Sequence, residues 1–194
     1  MNIYLVRHGE SQANLEKLFY GSLDSPLTEQ GVEDAELAAK KLKDLPVQAL
    51  YSSPLIRAYA TAEYISAEMG LPIQSDQRLV EQHFGSFEGF TYEKLKEDHG
   101  SVFVDYYHGS WCEETPLGGE SFADMVERIE PFLKEIIEKG EDCLIVSHNG
   151  VMRTLLYLIL DLAPQHVHRM YFTQGDYCHF ETDRGSFVIR AINK

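Results

Sequence analysis

The sequence predicts an α/β protein, a three-layer α/β/α sandwich with a mixed, mostly parallel central sheet. Short apolar runs of strand length alternate with longer segments of helical period. Two of those runs, Ile3-Tyr4-Leu5-Val6 and Cys143-Leu144-Ile145-Val146, read as buried strands. The C-terminal stretch reads as strands joined by glycine-containing turns, which adds antiparallel pairing. With 194 residues the chain is long enough for one well-cored domain and short for two, so 1–194 is taken as a single domain with a cap-like insertion at about 82–120.

The elements follow in order. After the first strand, Asp24-Ser25-Pro26-Leu27-Thr28 gives a turn and a helix start, with Thr28 or Ser25 as cap, and Ala35, Ala38, Ala39 and Leu42 share one face. Pro46 stops this helix and Ala49-Leu50-Tyr51 reads as a short strand. A second helix runs from Leu55 to about Met69, Gly70 ends it, and Pro72-Ile73-Gln74 suggests another strand. Arg78 to Phe90 has no clear period, and helical patterning resumes near Thr91. From Phe122, apolar residues recur at three and four through Ile137, with Pro131 predicting a kink or break near Glu130. A helix from Val151 to about Leu160 follows the second buried strand. Met170–Thr173, Tyr177–Glu181 and Ser186–Ala191 read as strands, the last two a hairpin through Asp183-Arg184-Gly185.

A hydrophobic fraction of 44% with 25% charged residues fits a soluble globular domain. The formal net charge of -14 argues against nucleic-acid or anionic-membrane partners, which need a basic face. An anionic substrate must then be held by a concentrated arginine cluster. The opening residues lack the basic flank and long apolar core of a secretory signal, and Thr154–Leu162 is too short to span a bilayer. Cys112, Cys143 and Cys178 are odd in number and form no CxxC pair, which argues against a disulfide framework or structural zinc. A reducing, cytoplasmic location is expected.

Both buried strands end in histidine-bearing motifs, Arg7-His8-Gly9-Glu10-Ser11 and Ser147-His148-Asn149-Gly150. In an open α/β sheet, ligands sit beyond the carboxyl ends of the strands. If the two strands are neighbours, their imidazoles converge on one crevice.

The chain resembles the histidine phosphatase superfamily, also called the phosphoglycerate mutase-like family. The blocks that carry the resemblance occur in the family's order over nearly the whole length. They are Arg7 to Ser11 with Asn14; Gly21 and Asp24 through Thr28 to Gly31; Ser52-Ser53-Pro54-Leu55-Ile56-Arg57-Ala58 with Thr61; Glu81 with Phe84-Gly85 and Glu88-Gly89; Gly118 to Ser121; and Ser147 to Gly150. The resemblance implies a metal-independent phosphomonoesterase without cofactor, acting on a small-molecule phosphate monoester through a phosphohistidine. It implies that His8 is the nucleophile, that Arg7 and Arg57 bind the phosphoryl oxygens and keep His8 neutral, that His148 is a third donor, and that Glu81 is the general acid, starting protonated. Asn14, Tyr20, Gly21, Ser11 and Asn149 match positions around the phosphate and substrate pocket, Asn149 standing where the family often has glycine.

Taken singly, His8 and His148 are imidazoles at strand ends, Arg57 a solvated helix residue and Glu81 a surface carboxylate; the ordered motifs change that reading. Phe84, Phe87 and Phe90 are expected to be core, and Gly118–Ser121 a loop feeding a helix. His166 and His168 have no nearby acidic or thiol partners and read as solvated loop residues. Between Lys96 and Arg128 there is no lysine or arginine, and Gln82 follows Glu81 where mutases of the family carry arginine. The region instead holds Phe103, Tyr106, Tyr107, His108 and Trp111 with Glu113 and Glu114, which reads as unfavourable to a second negative charge. The chain therefore reads as a phosphatase, resembling α-ribazole phosphatases, which act on α-ribazole 5′-phosphate, or broad-specificity phosphatases. A cofactor-dependent phosphoglycerate mutase and a non-catalytic phospholigand-binding module are the other readings.

Overall fold

The computed structural model describes residues 1–110, 115–167, 169–183 and 186–194. Six strands form one sheet, from edge to edge β4 (Ile73–Ser75), β3 (Ala49–Ser52), β6 (Cys143–Ser147), β1 (Asn2–Arg7), β7 (Tyr177–Asp183) and β8 (Ser186–Ala191). Strands β4, β3, β6 and β1 are mutually parallel, and β7 and β8 pair antiparallel beyond β1. The sheet is mixed and mostly parallel, as the sequence predicts.

Alternation along the strands builds the three layers. Ile3 and Leu5 point to one face and pack with residues of α6 (Phe122–Lys139) and α7 (Asn149–Leu160), among them Ile129, Phe132 and Leu155. Tyr4 and Val6 point to the other, against α2 (Glu29–Leu42) and α3 (Ile56–Met69) through Ala38, Leu42, Ala58 and Ile65. The expected apolar face of α2 is buried throughout, and Thr28 is its cap, its side chain accepting from the Gly31 N–H. Gly70 closes α3 at φ +68°, a left-handed position that favours glycine.

A third apolar cluster lies apart from the sheet. It joins Phe87, Leu95 of α4 (Tyr92–His99), Phe103 of α5 (Ser101–Asp105), Tyr106, Phe122 and Val167. Phe19 packs against it from a two-stranded ribbon of β2 (Leu18–Phe19) and β5 (Phe90–Thr91), which the sequence pattern does not foretell. Phe87 is core as expected, whereas Phe90 is 45% exposed.

Two further expectations are corrected. Helix α6 runs unbroken through Pro131, because that residue and Glu127, whose carbonyl loses its partner, both lie on the solvent side. Met170–Thr173 is not a strand. Its backbone groups bond side chains instead: the Phe172 N–H to Asn149 Oδ1, the Phe172 carbonyl to Arg7 Nη1, and the Thr173 N–H to Asn193 Oδ1. Trp111, Cys112, Glu113, Glu114, His168 and the hairpin turn at Arg184-Gly185 lie outside the described residues. Among the described residues, no helix is long and apolar enough to cross a membrane.

Candidate active site

Arg7 and Ser147 are opposite one another in the parallel β1–β6 ladder, so the next residues, His8 and His148, leave adjacent strands at the same level. Their ring centroids are 5.1 Å apart. His8 Nδ1 lies 2.7 Å from the carbonyl oxygen of Gly9. A carbonyl can only accept, so Nδ1 carries the proton and Nε2 presents a lone pair. Burial, and then the positive charges of Arg57 and Arg7, hold the imidazole pKa well below its ordinary value.

Arg57, in the first turn of α3, is 1% exposed and gripped from several sides. Its Nη2 donates to the Gly21 carbonyl at 2.7 Å and Nη1 to the Leu23 carbonyl at 3.0 Å. Its guanidinium lies 4.6 Å from the Tyr20 ring centroid, and Nε donates to His148 Nδ1 at 3.2 Å. Because Arg57 has no acceptor, His148 must carry its proton on Nε2, which meets Ser53 Oγ at 2.8 Å. Burial and Arg57 also push the His148 pKa well down. Arg7 donates from Nη1 to the Phe172 carbonyl at 2.6 Å, and its buried Nε has no hydrogen-bond partner. An orphaned guanidinium N–H beside a second buried arginine is a site that an anion would complete.

A cavity of about 280 Å³ opens onto these groups, lined by Arg7, His8, Asn14, Tyr20, Arg57, Glu81 and Asn149 with Leu18, Phe19 and Phe84. Three of the expected residues do not line it and act behind it. Ser11 caps α1 (Gln12–Leu15), forms a reciprocal capping box with Asn14, and is 2.7 Å from the Tyr20 hydroxyl. Gly21 supplies its carbonyl to Arg57, and a Cβ there would stand 1.6 Å from the Gln82 carbonyl oxygen, so only glycine fits. His148, expected as a third phosphoryl-oxygen donor, is completely buried and accepts from Arg57 Nε.

Glu81 occupies a seam. Its Oε1 accepts from the Gln82 N–H at 2.9 Å and its Oε2 from the Gly150 N–H at 3.0 Å. A second cavity of about 290 Å³ lies on its far side, and Phe19, Glu81, Phe84 and Asn149 line both. Gln82, Tyr106, Tyr107, Gly150 and Arg153 complete the second cavity. Phe84, expected as core, packs against the third cluster and also walls both cavities. Phe19 and Arg153 are additions the sequence reading missed. Arg153 lies one helical turn beyond Asn149 and Gly150, a spacing that places it on their face of α7. Its Nε donates to the Met170 carbonyl at 2.7 Å. His166 is exposed, and among the described residues no three His, Cys, Asp or Glu side chains are grouped to hold a metal.

Residues 3–194 match the family model described as Histidine phosphatase superfamily (branch 1). The chain is 27% identical over 195 residues to the adenosylcobalamin/alpha-ribazole phosphatase of Escherichia coli, covering 100% of this chain and 96% of the relative. It is 34% identical over 182 residues to a 2,3-bisphosphoglycerate-dependent phosphoglycerate mutase of Azorhizobium caulinodans, covering 89% and 88%. The crystal structure of the alpha-ribazole phosphatase from Shigella flexneri superposes with a TM-score of 0.92 at 28% identity, covering 100% of this chain and 96% of that one.

Proposed function

The chain belongs to the histidine phosphatase superfamily, and from that premise we propose that it hydrolyses a small-molecule phosphate monoester through a phosphohistidine on His8. The observation that carries this reading is the tautomer of His8: the Gly9 carbonyl holds the proton on Nδ1, and two arginines keep the ring neutral, so Nε2 is a nucleophile at neutral pH.

In the first step the Nε2 lone pair forms a bond to phosphorus, and the bond from phosphorus to the ester oxygen breaks. Glu81, between the two cavities, gives its proton to the departing alkoxide. Arg7 and Arg57 hold the equatorial oxygens, and the Nδ1–H bond to Gly9 stabilises the positive ring of the phosphohistidine. In the second step water attacks phosphorus, Glu81 takes the water proton, and the P–N bond returns its electrons to Nε2. Phosphate leaves and the starting state is restored. Because Arg57 is fixed beforehand by Gly21, Leu23 and His148, it needs no reorganisation as charge develops.

The second cavity receives the alcohol. Its aromatic walls support a leaving group with a flat or partly apolar portion, and α-ribazole 5′-phosphate is one such ester, consistent with the named activity of the E. coli and Shigella relatives. The similarity to phosphoglycerate mutases keeps phosphoryl transfer between phosphoglycerates as the second reading.

The deciding experiment measures initial rates over α-ribazole phosphate, phosphoserine, phosphoglycerates and sugar phosphates with chelator present, followed by quenching in alkaline detergent to trap labelled phosphoenzyme. Wild type should turn over and form an acid-labile, base-stable phosphohistidine, and His8→Ala should do neither while melting as a folded protein. Turnover that persists in His8→Ala would refute the assignment. Isomerisation of phosphoglycerates dependent on the bisphosphate would favour the mutase reading, and phosphate binding without any hydrolysis a binding module.

A further inference from the structure

The wall of the second cavity contains a polar atom that the fold itself does not use. Tyr106 is 3% exposed and packs in the aromatic cluster, its ring centroid 5.6 Å from that of Phe87. Its hydroxyl is buried and makes no hydrogen bond; it lies toward the Gln82 side chain, but not at hydrogen-bonding geometry. Gln82 donates from Nε2 to the Glu120 carbonyl at 2.8 Å. A phenylalanine would fill the same space without the desolvated oxygen, so packing alone does not account for tyrosine here. The residue also begins a π turn, Tyr106–Ser110, a backbone form that recurs at functional sites.

Tyr106 lines this cavity. The cavity adjoins Glu81, the group placed to protonate the leaving oxygen, so an alcohol leaving from phosphorus on His8 enters it. We propose that Tyr106 is a specificity residue whose hydroxyl hydrogen-bonds a second oxygen of the leaving alcohol, which makes the preferred substrates phosphate monoesters of polyols or sugars, not of plain hydrocarbon alcohols. This inference rests on the hydrolase reading. Burial holds the phenol protonated throughout the working range, so it can donate to a hydroxyl, ether or carboxylate oxygen alike. Arg153 stands in the same wall. A site built to bond an oxygen discriminates steeply against the analogue that lacks it, because the buried polar group is then left unpaired.

The test compares kcat/KM of wild type and Tyr106→Phe on glycerol 1-phosphate and propyl phosphate, which differ by two hydroxyls, with p-nitrophenyl phosphate as a common reference. Wild type should prefer glycerol 1-phosphate by about tenfold or more. Tyr106→Phe should lose most of that preference through a much larger fall on glycerol 1-phosphate than on propyl phosphate, with an unchanged melting temperature reporting an intact fold. An equal fall on both esters, which a structural role would give, overturns the proposal, as does an unchanged ratio. Failure of wild type to hydrolyse any of the three esters would overturn the hydrolase reading and this inference with it, a result distinguishable from an active enzyme that ignores the hydroxyls.

Discussion

Replacing Glu88 by glutamine tests how the arginine cluster is held. Its carboxylate accepts from the backbone N–H groups of Ser22 at 3.0 Å, Leu23 at 2.8 Å and Phe84 at 2.9 Å, and from the Ser22 hydroxyl. It therefore ties the 21–23 loop, whose carbonyls grip Arg57, to the segment that follows Glu81. In Glu88→Gln one oxygen becomes an amide NH2, which cannot accept, so the donors on one side lose their partner. Hydrogen bonds to a charged group are worth about 1.5–3 kcal/mol each, and for this half-buried cluster we expect a loss of about 2 kcal/mol in stability. The activity effect is separate. A shift of about 1 Å in a group that orients a reacting centre costs roughly 100-fold, so kcat/KM for p-nitrophenyl phosphate should fall about 10- to 100-fold. The inhibition constant for inorganic phosphate should rise in parallel, since both read Arg57. A variant that melts lower yet keeps kcat/KM and phosphate inhibition within twofold of wild type would refute the link between Glu88 and Arg57.

The buried neutral histidines predict an acid-sensitive fold. In the native state His8 and His148 titrate well below the ordinary histidine value, so as pH falls below about 6.5 the unfolded chain takes up protons that the native chain refuses. Stability should drop by about 1.4 kcal/mol per pH unit for each, until their native pKa values are reached. Urea unfolding between pH 6 and 5 should give a slope smaller by about that amount in His8→Asn, and equal slopes would count against it. Gly150→Ala places a Cβ 2.3 Å from Glu81 Oε1, so the carboxylate must move; kcat should fall at least about tenfold with the melting temperature held, and an unchanged kcat would show that Glu81 is not the acid.

Strands and long helices were legible because each is set by a local period. The runs Ile3–Val6 and Cys143–Val146 and the alanine face of α2 needed no tertiary information. Failures occur where distant partners decide. Met170–Thr173 has the composition of a strand, but Arg7 and Asn149 take its backbone groups before a neighbouring strand can. The β2–β5 ribbon is two residues on each side, too short for any period. In the site, His8, Arg7, Arg57 and Glu81 line the cavity the motif order led one to expect. That Ser11, Gly21 and His148 stand outside the cavity lining was not readable, because a motif position does not say which way its side chain faces. Arg153 is unreadable for a related reason: its sequence position lies far from the 82–120 segment, and only the fold delivers it from α7 to the cavity.

The partner that orients His8 is a main-chain oxygen, contributed by the very next residue. Many general-base histidines depend on a carboxylate side chain for this task, and a scan of side chains finds it. Here such a scan is blind, because every residue placed at position 9 carries the same carbonyl. Gly9 is itself wedged against the Gly31 backbone, where a Cβ would approach the Gly31 oxygen to 2.2 Å, so the peptide has little freedom to rotate. The orienting element of this centre is therefore inherited with the turn and not with any side chain. Alanine scanning of the surrounding side chains would find no helper for His8, and only a substitution that shifts the backbone at position 9 would reveal it.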